Sequence, residues 1–136
     1  MATDTAYVNT SRKGALEVIE FYHPQSNSLP RTLLTQLASA ITAAGEDPAV
    51  KLILLRSAGE KVFCAGASFD ELASIKTAAE GLRFFSGFAD VINAIRTCPL
   101  LVIGRIQGKC VGGGVGLAAA VDYALATDSA QVKLSE

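Results

Sequence analysis

VFCAGASF at positions 62–69 and KCVGGGVGL at positions 109–117 are the two segments that decide the fold of this chain. Each follows an apolar run typical of a buried strand, and each leads into a stretch with helical spacing. Their glycine and alanine residues would let a ligand come close to backbone N–H groups. Two such segments side by side would aim two N–H donors at one oxygen, which is the geometry of an oxyanion hole. The pair therefore predicts chemistry on a carbonyl compound that passes through an enolate.

The composition predicts a single globular domain over residues 1–136. Half of the residues are apolar, 18% are charged and the formal net charge is −1, a balance typical of folded proteins. The length suffices for one core and not for two. No basic run attracts nucleic acid or an anionic membrane, so neither partner is expected. The N-terminus lacks a signal-peptide pattern and the stretch 110–120 is too short to span a bilayer, which predicts a cytoplasmic location.

The cysteine and histidine content argues against a metal site. Cys64, Cys98 and Cys110 make an odd count without paired spacing, which predicts free thiols in a reducing compartment. His23 is the only histidine and no Cys-x-x-Cys occurs, so zinc is not expected. His23 lies beside a proline in a loop, where a surface or packing role is favoured over that of a general base. Cys64 and Cys110 are interpreted as small packing residues, because no histidine is near to activate them.

Hydrophobic periodicity predicts strands that alternate with helices. Strands are expected at 15–21, 50–55, 100–106 and 123–126, and helices from Pro30 to a stop at Gly45, along the apolar stripe 84–95, and at 112–120. The stripe is interpreted as core or as a subunit contact. Asp70 and Glu71 are interpreted as helix-start residues, since acidic side chains favour the helix dipole there. The alternation predicts a largely parallel sheet with ligands bound beyond the carboxyl ends of its strands.

Neither glycine segment matches a nucleotide-binding fingerprint. From Gly112 the pattern G-x-G-x-x-G fails at Leu117. The P-loop pattern fails because the interval from Gly104 to Gly108 is one residue too short and Lys109 is followed by cysteine. No G-x-S-x-G nucleophile elbow occurs either. A nucleotide-binding domain and a serine hydrolase are therefore disfavoured.

Four segments, in order, resemble the crotonase superfamily of enoyl-CoA hydratases and isomerases. HPQSNSL at 23–29 resembles its P-x-x-N-A-L loop, 62–72 its F-C-A-G-A-D-L loop, 108–117 its G-x-a-x-G-G-G segment, and 122–127 its c-D-l-r-i-A strand. The resemblance runs from about residue 16 to residue 136. It implies an α/β fold with a crotonase-like ββα spiral core of repeated strand-strand-helix units. Because members of the family are longer, the chain is expected to be truncated before the C-terminal helices.

The resemblance also implies roles for individual residues. The backbone N–H groups of Ala67 and Gly113 would bind the thioester carbonyl oxygen and stabilise the enolate. Glu136 matches one acid/base glutamate of the family, whereas Gly116 stands where the other glutamate usually is. Ser68 replaces an aspartate that supports the first loop, so a change in loop fixation is expected. The path of the CoA moiety would be lined, mostly through backbone atoms, by Ser26, Ser28, Ala65, Gly66, Phe69 and Gly112.

The function implied by the resemblance is that of an acyl-CoA thioester enzyme with no cofactor besides the CoA of its substrate. A single carboxylate can shuttle a proton between C2 and C4 of an enoyl thioester, which favours an isomerase, with a hydratase still open. Decarboxylation or hydrolysis of an acyl-CoA is an alternative, since the oxyanion hole does most of that work. Gly116 motivates a further alternative, a non-catalytic acyl-CoA-binding homologue. The resemblance suggests a homo-trimer or hexamer, and the acyl chain is left open.

Overall fold

The computed structural model describes residues 5–134, so Glu136, the expected acid/base residue, lies outside the described residues. The chain alternates eight strands and four helices within that range: β1 Tyr7–Lys13, β2 Leu16–Tyr22, α1 Arg31–Glu46, β3 Leu52–Ser57, β4 Val62–Cys64, α2 Phe69–Ser74, α3 Ala78–Thr97, β5 Val102–Ile106, β6 Lys109–Val111, α4 Gly113–Ala120, β7 Tyr123–Ala126 and β8 Val132–Lys133. None of these helices is long and apolar enough to cross a membrane.

The larger sheet has the strand order β1-β2-β3-β5-β7. β1 and β2 form an antiparallel hairpin, and every other neighbouring pair in this sheet is parallel. The predicted largely parallel sheet is therefore confirmed. β1 was not expected from the periodicity, because it is an edge strand whose residues from Asn9 to Lys13 are all exposed. Such a strand lacks the alternation of buried and exposed residues on which sequence patterns depend.

A second sheet of three short strands, β4-β6-β8, lies beside the larger one. From β3 onwards the first strand of each unit joins the larger sheet and the second joins the smaller, which gives the expected repeated strand-strand-helix order. The periodicity assigned no strand to 62–64 or to 109–111, so β4 and β6 were not expected. Phe63, Cys64 and Cys110 are fully buried, and parallel pairing of β4 with β6 satisfies their backbone. Three residues are too few to show a period.

Helix α1 packs its predicted apolar face into the core. Its buried residues are those expected from the spacing, Leu33, Leu34, Leu37, Ile41 and Ala44. Gly45 does not stop the helix as predicted, because α1 continues to Glu46. A Cβ atom at Gly45 would lie 3.0 Å from the Cys98 sulfur and 3.1 Å from Pro99. The glycine therefore makes room for the turn after α3 instead of ending a helix.

The remaining elements follow the sequence prediction closely. The apolar stripe lies in helix α3, α4 begins one residue later than predicted, at Gly113, and ends at Ala120, and β7 coincides with 123–126. β3 and β5 each begin two residues later than expected, at Leu52 and Val102. Val91 and Ile95 of the stripe are buried, but Phe85 is 72% exposed. Only one side of that stripe is therefore core.

Candidate functional site

The first glycine segment leaves β4 through a backbone conformation that only glycine adopts easily. Gly66 has φ +94°, and its carbonyl accepts a hydrogen bond of 2.8 Å from the N–H of Leu29. Leu29 and Ala67 form an isolated parallel bridge, which ties this segment to the loop before α1. Ser68 then begins α2, because its hydroxyl accepts a hydrogen bond from the N–H of Glu71 at 3.2 Å. Ser68 is thus the N-cap of α2, a role that the sequence analysis did not predict.

The second glycine segment makes the transition from β6 to α4. Gly112 has φ 55° and ψ −124°, a combination that L side chains rarely adopt. Its N–H donates to the carbonyl of Lys133 in β8 at 3.1 Å. The carbonyl oxygen of Cys64 occupies the space that a Cβ atom of Gly114 would need. Three consecutive glycines therefore allow the start of α4 to lie directly against the end of β4.

The two segments are in direct contact, and we call this contact the glycine junction (Ala65–Ala67 with Gly112–Gly114). A Cβ atom on Gly66 would lie 2.9 Å from the carbonyl oxygen of Val111 and 3.4 Å from the nitrogen of Gly113. Bond lengths then put the nitrogen of Ala67 no more than about 7 Å from that of Gly113. Neither of these two N–H groups donates a hydrogen bond to another residue of the range 5–134. The junction therefore holds two neighbouring amides without an internal acceptor.

The side of the junction at α4 is closed by helix α3. A Cβ atom on Gly113 would lie 2.9 Å from the ring of Phe88, so a side chain at this position would displace the ring. Gly113 is the first residue of α4, where N–H groups have no intrahelical partner and carry the positive end of the helix dipole. Gly116 faces Ile92, because a Cβ atom on Gly116 would lie 3.4 Å from the isoleucine methyl group. Both glycines are therefore covered by one face of α3.

The loop at 23–28 adjoins the junction through the Leu29–Ala67 bridge. Ser26 is exposed with φ 57°, and Ser28 is buried. The sequence prediction missed Asn27 between them, which is 4% exposed. Its amide donates to the carbonyls of Ala58 and Val62 at 2.9 and 3.0 Å, and its Oδ1 accepts from the His23 N–H at 2.9 Å. Asparagine is a common residue in left-handed turns, so its presence in this loop was the available signal.

A cleft of about 400 Å³ lies beside this loop, and its wall includes Ser26, Asn27 and the turn after β3. Of the residues expected on the CoA path, Ala65, Gly66 and Gly112 belong to the glycine junction. Ser26 lies in the cleft wall, whereas Ser28 is buried behind it. Phe69, at the start of α2, is 81% exposed. The structure therefore brings the glycine residues together and leaves Phe69 on the surface.

An unexpected contact joins α2 to the start of α1. Pro30 precedes α1 and offers no side-chain cap, but both carboxylate oxygens of Glu71 accept from the N–H of Arg31, at 2.9 and 3.2 Å. The Arg31 guanidinium pairs with Asp90 of α3 at 2.7 Å. Glu71 is thus a helix-start residue of α2, as predicted, and also the cap of α1. No local pattern indicates this second role, since 40 residues separate the two partners.

The thiols under the junction are buried. Cys64 and Cys110 are register partners in the pair β4–β6. Burial raises the pKa of Cys64 to about 12 and also raises that of Cys110, so both stay protonated at neutral pH. The pKa of His23 is lowered, again chiefly by burial, and its Nδ1 accepts from the N–H of Gln25 at 3.0 Å. The packing roles expected for these side chains are consistent with their surroundings.

Comparison with known proteins gives a consistent result. The family model described as Enoyl-CoA hydratase/isomerase matches residues 11–136. Methylglutaconyl-CoA hydratase, a mitochondrial protein of Rattus norvegicus, is 39% identical over 110 residues, which is 81% of this chain and 35% of that protein. 3-hydroxyisobutyryl-CoA hydrolase, a mitochondrial protein of Mus musculus, is 31% identical over 139 residues, 100% of this chain and 36% of that protein.

Solved structures share the fold. DspI of Pseudomonas aeruginosa superposes with a TM-score of 0.89 at 26% identity, covering 100% of this chain and 55% of that one. An enoyl-CoA hydratase of Bacillus anthracis superposes with a TM-score of 0.87 at 28% identity, covering 94% of this chain and 50% of that one. The chain thus spans about a third of the curated relatives and about half of these solved structures.

Proposed function

The chain belongs to the enoyl-CoA hydratase/isomerase family, and on that premise we propose that it supplies the thioester-binding part of an acyl-CoA enzyme. In this proposal the N–H groups of Ala67 and Gly113 bind the thioester carbonyl oxygen. They stabilise the enolate that forms when a proton leaves or joins the α-carbon. A donor of this kind contributes about 3 kcal/mol to the transition state, so the pair accounts for a large part of catalysis.

The observation that supports the proposal most directly is the contact within the glycine junction. A Cβ atom on Gly66 would lie 3.4 Å from the nitrogen of Gly113. Neither the N–H of Ala67 nor that of Gly113 donates a hydrogen bond to an acceptor in the range 5–134. Because Gly113 begins α4, the helix dipole adds positive potential at the same point. Donors fixed in advance by a rigid backbone need no reorganisation when charge develops on the oxygen.

Proton transfer is assigned in this proposal to Glu136 alone. Gly116 has no group that can exchange a proton, although the contact of 3.4 Å to Ile92 leaves room for a small side chain. One carboxylate suits an isomerase that moves a proton between C2 and C4, and a hydratase needs a second group from elsewhere. The CoA moiety belongs to the substrate, and no other cofactor is proposed. A homo-trimer or hexamer and a cytoplasmic location remain predictions.

Hydrolysis of an acyl-CoA is the second candidate. The mouse protein called a 3-hydroxyisobutyryl-CoA hydrolase aligns with the whole of this chain, and a single acid/base group is compatible with that reaction. Decarboxylation of an acyl-CoA is a further alternative, because the oxyanion hole does most of the work in that reaction. A homologue that binds acyl-CoA without turnover is the remaining alternative, which Gly116 motivates. Mass analysis of the products separates the reactions, and exchange of α-protons in deuterated water separates an enzyme from a binding protein.

The test of the amide donors needs a matched pair of variants. Proline at Gly113 deletes the N–H, but any Cβ atom there also meets Phe88. The comparison is therefore made in a Phe88→Ala background of the full-length protein, with Gly113→Ala as control and Gly113→Pro as test. Both variants carry the Cβ atom and only proline lacks the donor. We expect turnover to fall about 100-fold from alanine to proline, and equal rates would contradict the proposal.

A further inference from the structure

A second cavity, of about 200 Å³, lies between the start of α1, α2 and α3, and we call it the charged cavity. Its wall carries four charged side chains, those of Arg31, Glu71, Glu80 and Arg83. Burying an apolar chain against such groups would strip them of water without replacing their hydrogen bonds, which costs free energy. The charged cavity is therefore suited to a polar group.

The acidic side chains of the wall already accept hydrogen bonds from other residues of the chain. Both oxygens of Glu71 accept from the N–H of Arg31 at the start of α1. Glu80 lies in the first turn of α3, and its Oε1 accepts from the hydroxyl of Thr77 at 3.3 Å. The positive ends of two helix dipoles add to these contacts. Neither carboxylate needs a cation from a ligand.

The basic side chains of the wall are in the opposite situation. Nη2 of Arg31 pairs with Asp90, but Nη1 is buried without a hydrogen-bond partner in the described part of the chain. Arg83 is exposed, and it forms no ion pair or side-chain hydrogen bond with any residue of the range 5–134. Nη1 of Arg31 has no accessible surface and lies against Gly87, behind the cavity wall. The guanidinium that the wall offers to a ligand is therefore that of Arg83, and an anionic acceptor suits it best.

The charged cavity is close to the glycine junction. Phe84 lines the cavity, and Phe88, four residues later on the same face of α3, packs against Gly113. Positions four residues apart on a helix are about 6 Å apart. An acyl group of five carbons, with bonds of about 1.5 Å, covers that distance from its thioester carbonyl to its far end. A short acyl chain is therefore long enough to reach from a thioester at the junction to the charged cavity.

We propose that the charged cavity binds a carboxylate at the far end of the acyl group, and that Arg83 selects for it. This inference rests on the function proposed above, because it takes the thioester to lie at the glycine junction. Under it the preferred substrates are short acyl-CoA thioesters of dicarboxylic acids. Arg83 is the main specificity residue, since its whole guanidinium is available.

Two CoA thioesters of equal shape test the inference by isothermal titration calorimetry of the full-length protein. Glutaryl-CoA ends in a carboxylate, and 5-methylhexanoyl-CoA ends in an isopropyl group of nearly the same shape. Arg83→Gln removes the charge from the cavity wall. Arg96→Gln removes an exposed arginine from the last turn of the same helix, away from the cavity.

We expect the unmodified protein to bind glutaryl-CoA about tenfold more tightly than its isopropyl counterpart, as a charge-assisted hydrogen bond would give. Arg83→Gln should abolish this preference, and Arg96→Gln should keep it. Equal affinities in the unmodified protein would overturn the inference and leave the proposed function standing. A preference that survives Arg83→Gln would also overturn it. If neither thioester binds, both the inference and the proposed function fail.

Discussion

The glycine junction and the charged cavity lie about one helical turn apart along α3, yet one is formed by backbone and the other by side chains. The junction consists of backbone brought into contact by residues without side chains, such as Gly66 and Gly114. The cavity consists of long charged side chains on three helices, held in place by contacts such as that of Glu71 with Arg31. Backbone N–H donors do not depend on residue type, so they are suited to a reaction step that many thioesters share. Side chains differ between proteins, so they are suited to distinguishing one substrate from another. Under the two proposals above, the junction carries the chemistry and the cavity determines the choice of substrate.

We expect substitutions in the glycine junction to lower the free energy of unfolding more than substitutions around the charged cavity. Gly114→Ala puts a Cβ atom where the carbonyl of Cys64 lies, and neither backbone can move without separating β4 from α4. We expect a loss of about 3 kcal/mol in the free energy of unfolding, measured by urea denaturation of the full-length protein. Gly116→Ala is the control on the same helix, because its Cβ atom meets only Ile92 at 3.4 Å. It should be neutral or gain up to about 1 kcal/mol, and equal losses would refute the close contact.

We expect a substitution in the wall of the charged cavity to lower the free energy of unfolding by a smaller amount. Glu71→Ala removes the carboxylate that caps α1 and leaves the N–H of Arg31 without its acceptor. We expect a cost of about 1 kcal/mol, seen as a lower midpoint in the same denaturation experiment. Asp70→Ala is the neighbouring control, since Asp70 is exposed and only accepts a long hydrogen bond of 3.3 Å from Gln25. A cost for Asp70→Ala as large as that for Glu71→Ala would show that the cap does not act as described.

The smallest effect concerns the thiols below the junction. Because burial raises the pKa of Cys64 to about 12, its thiolate is scarce at pH 8, and iodoacetamide should modify the partly buried Cys98 first. The raised pKa also means that the folded state disfavours the thiolate. Its contribution to stability is complete below the ordinary thiol pKa of about 9 and is lost as the pH rises towards 12. Peptide mass spectrometry checks the order of modification, and early alkylation of Cys64 would mean that the junction opens in solution.

How far the sequence predicts the structure differs between the same two regions. The glycine junction was expected because Gly66 and Gly112–Gly114 form local sequence patterns. These patterns can be recognised without knowing which residues lie nearby in the fold. The short strands β4 and β6 were not expected, since their pairing is a long-range event with no period to detect. The cap from Glu71 to Arg31 and the unpaired Arg83 depend on how three helices meet. Local sequence patterns predict positions where the backbone conformation allows only certain residues, such as glycine. They do not predict contacts between side chains that come from distant segments of the chain.

The central claim is that the amides of Ala67 and Gly113 act together on one thioester oxygen. The most direct measurement is a titration of the full-length protein with acetoacetyl-CoA, followed by the near-ultraviolet absorption of its enolate. We predict a band that grows with saturation, and that is lost on Gly113→Pro but kept on Gly113→Ala, both in the Phe88→Ala background. A protein that is folded and binds the ligand without any enolate band would contradict the account, because the two donors would then not converge.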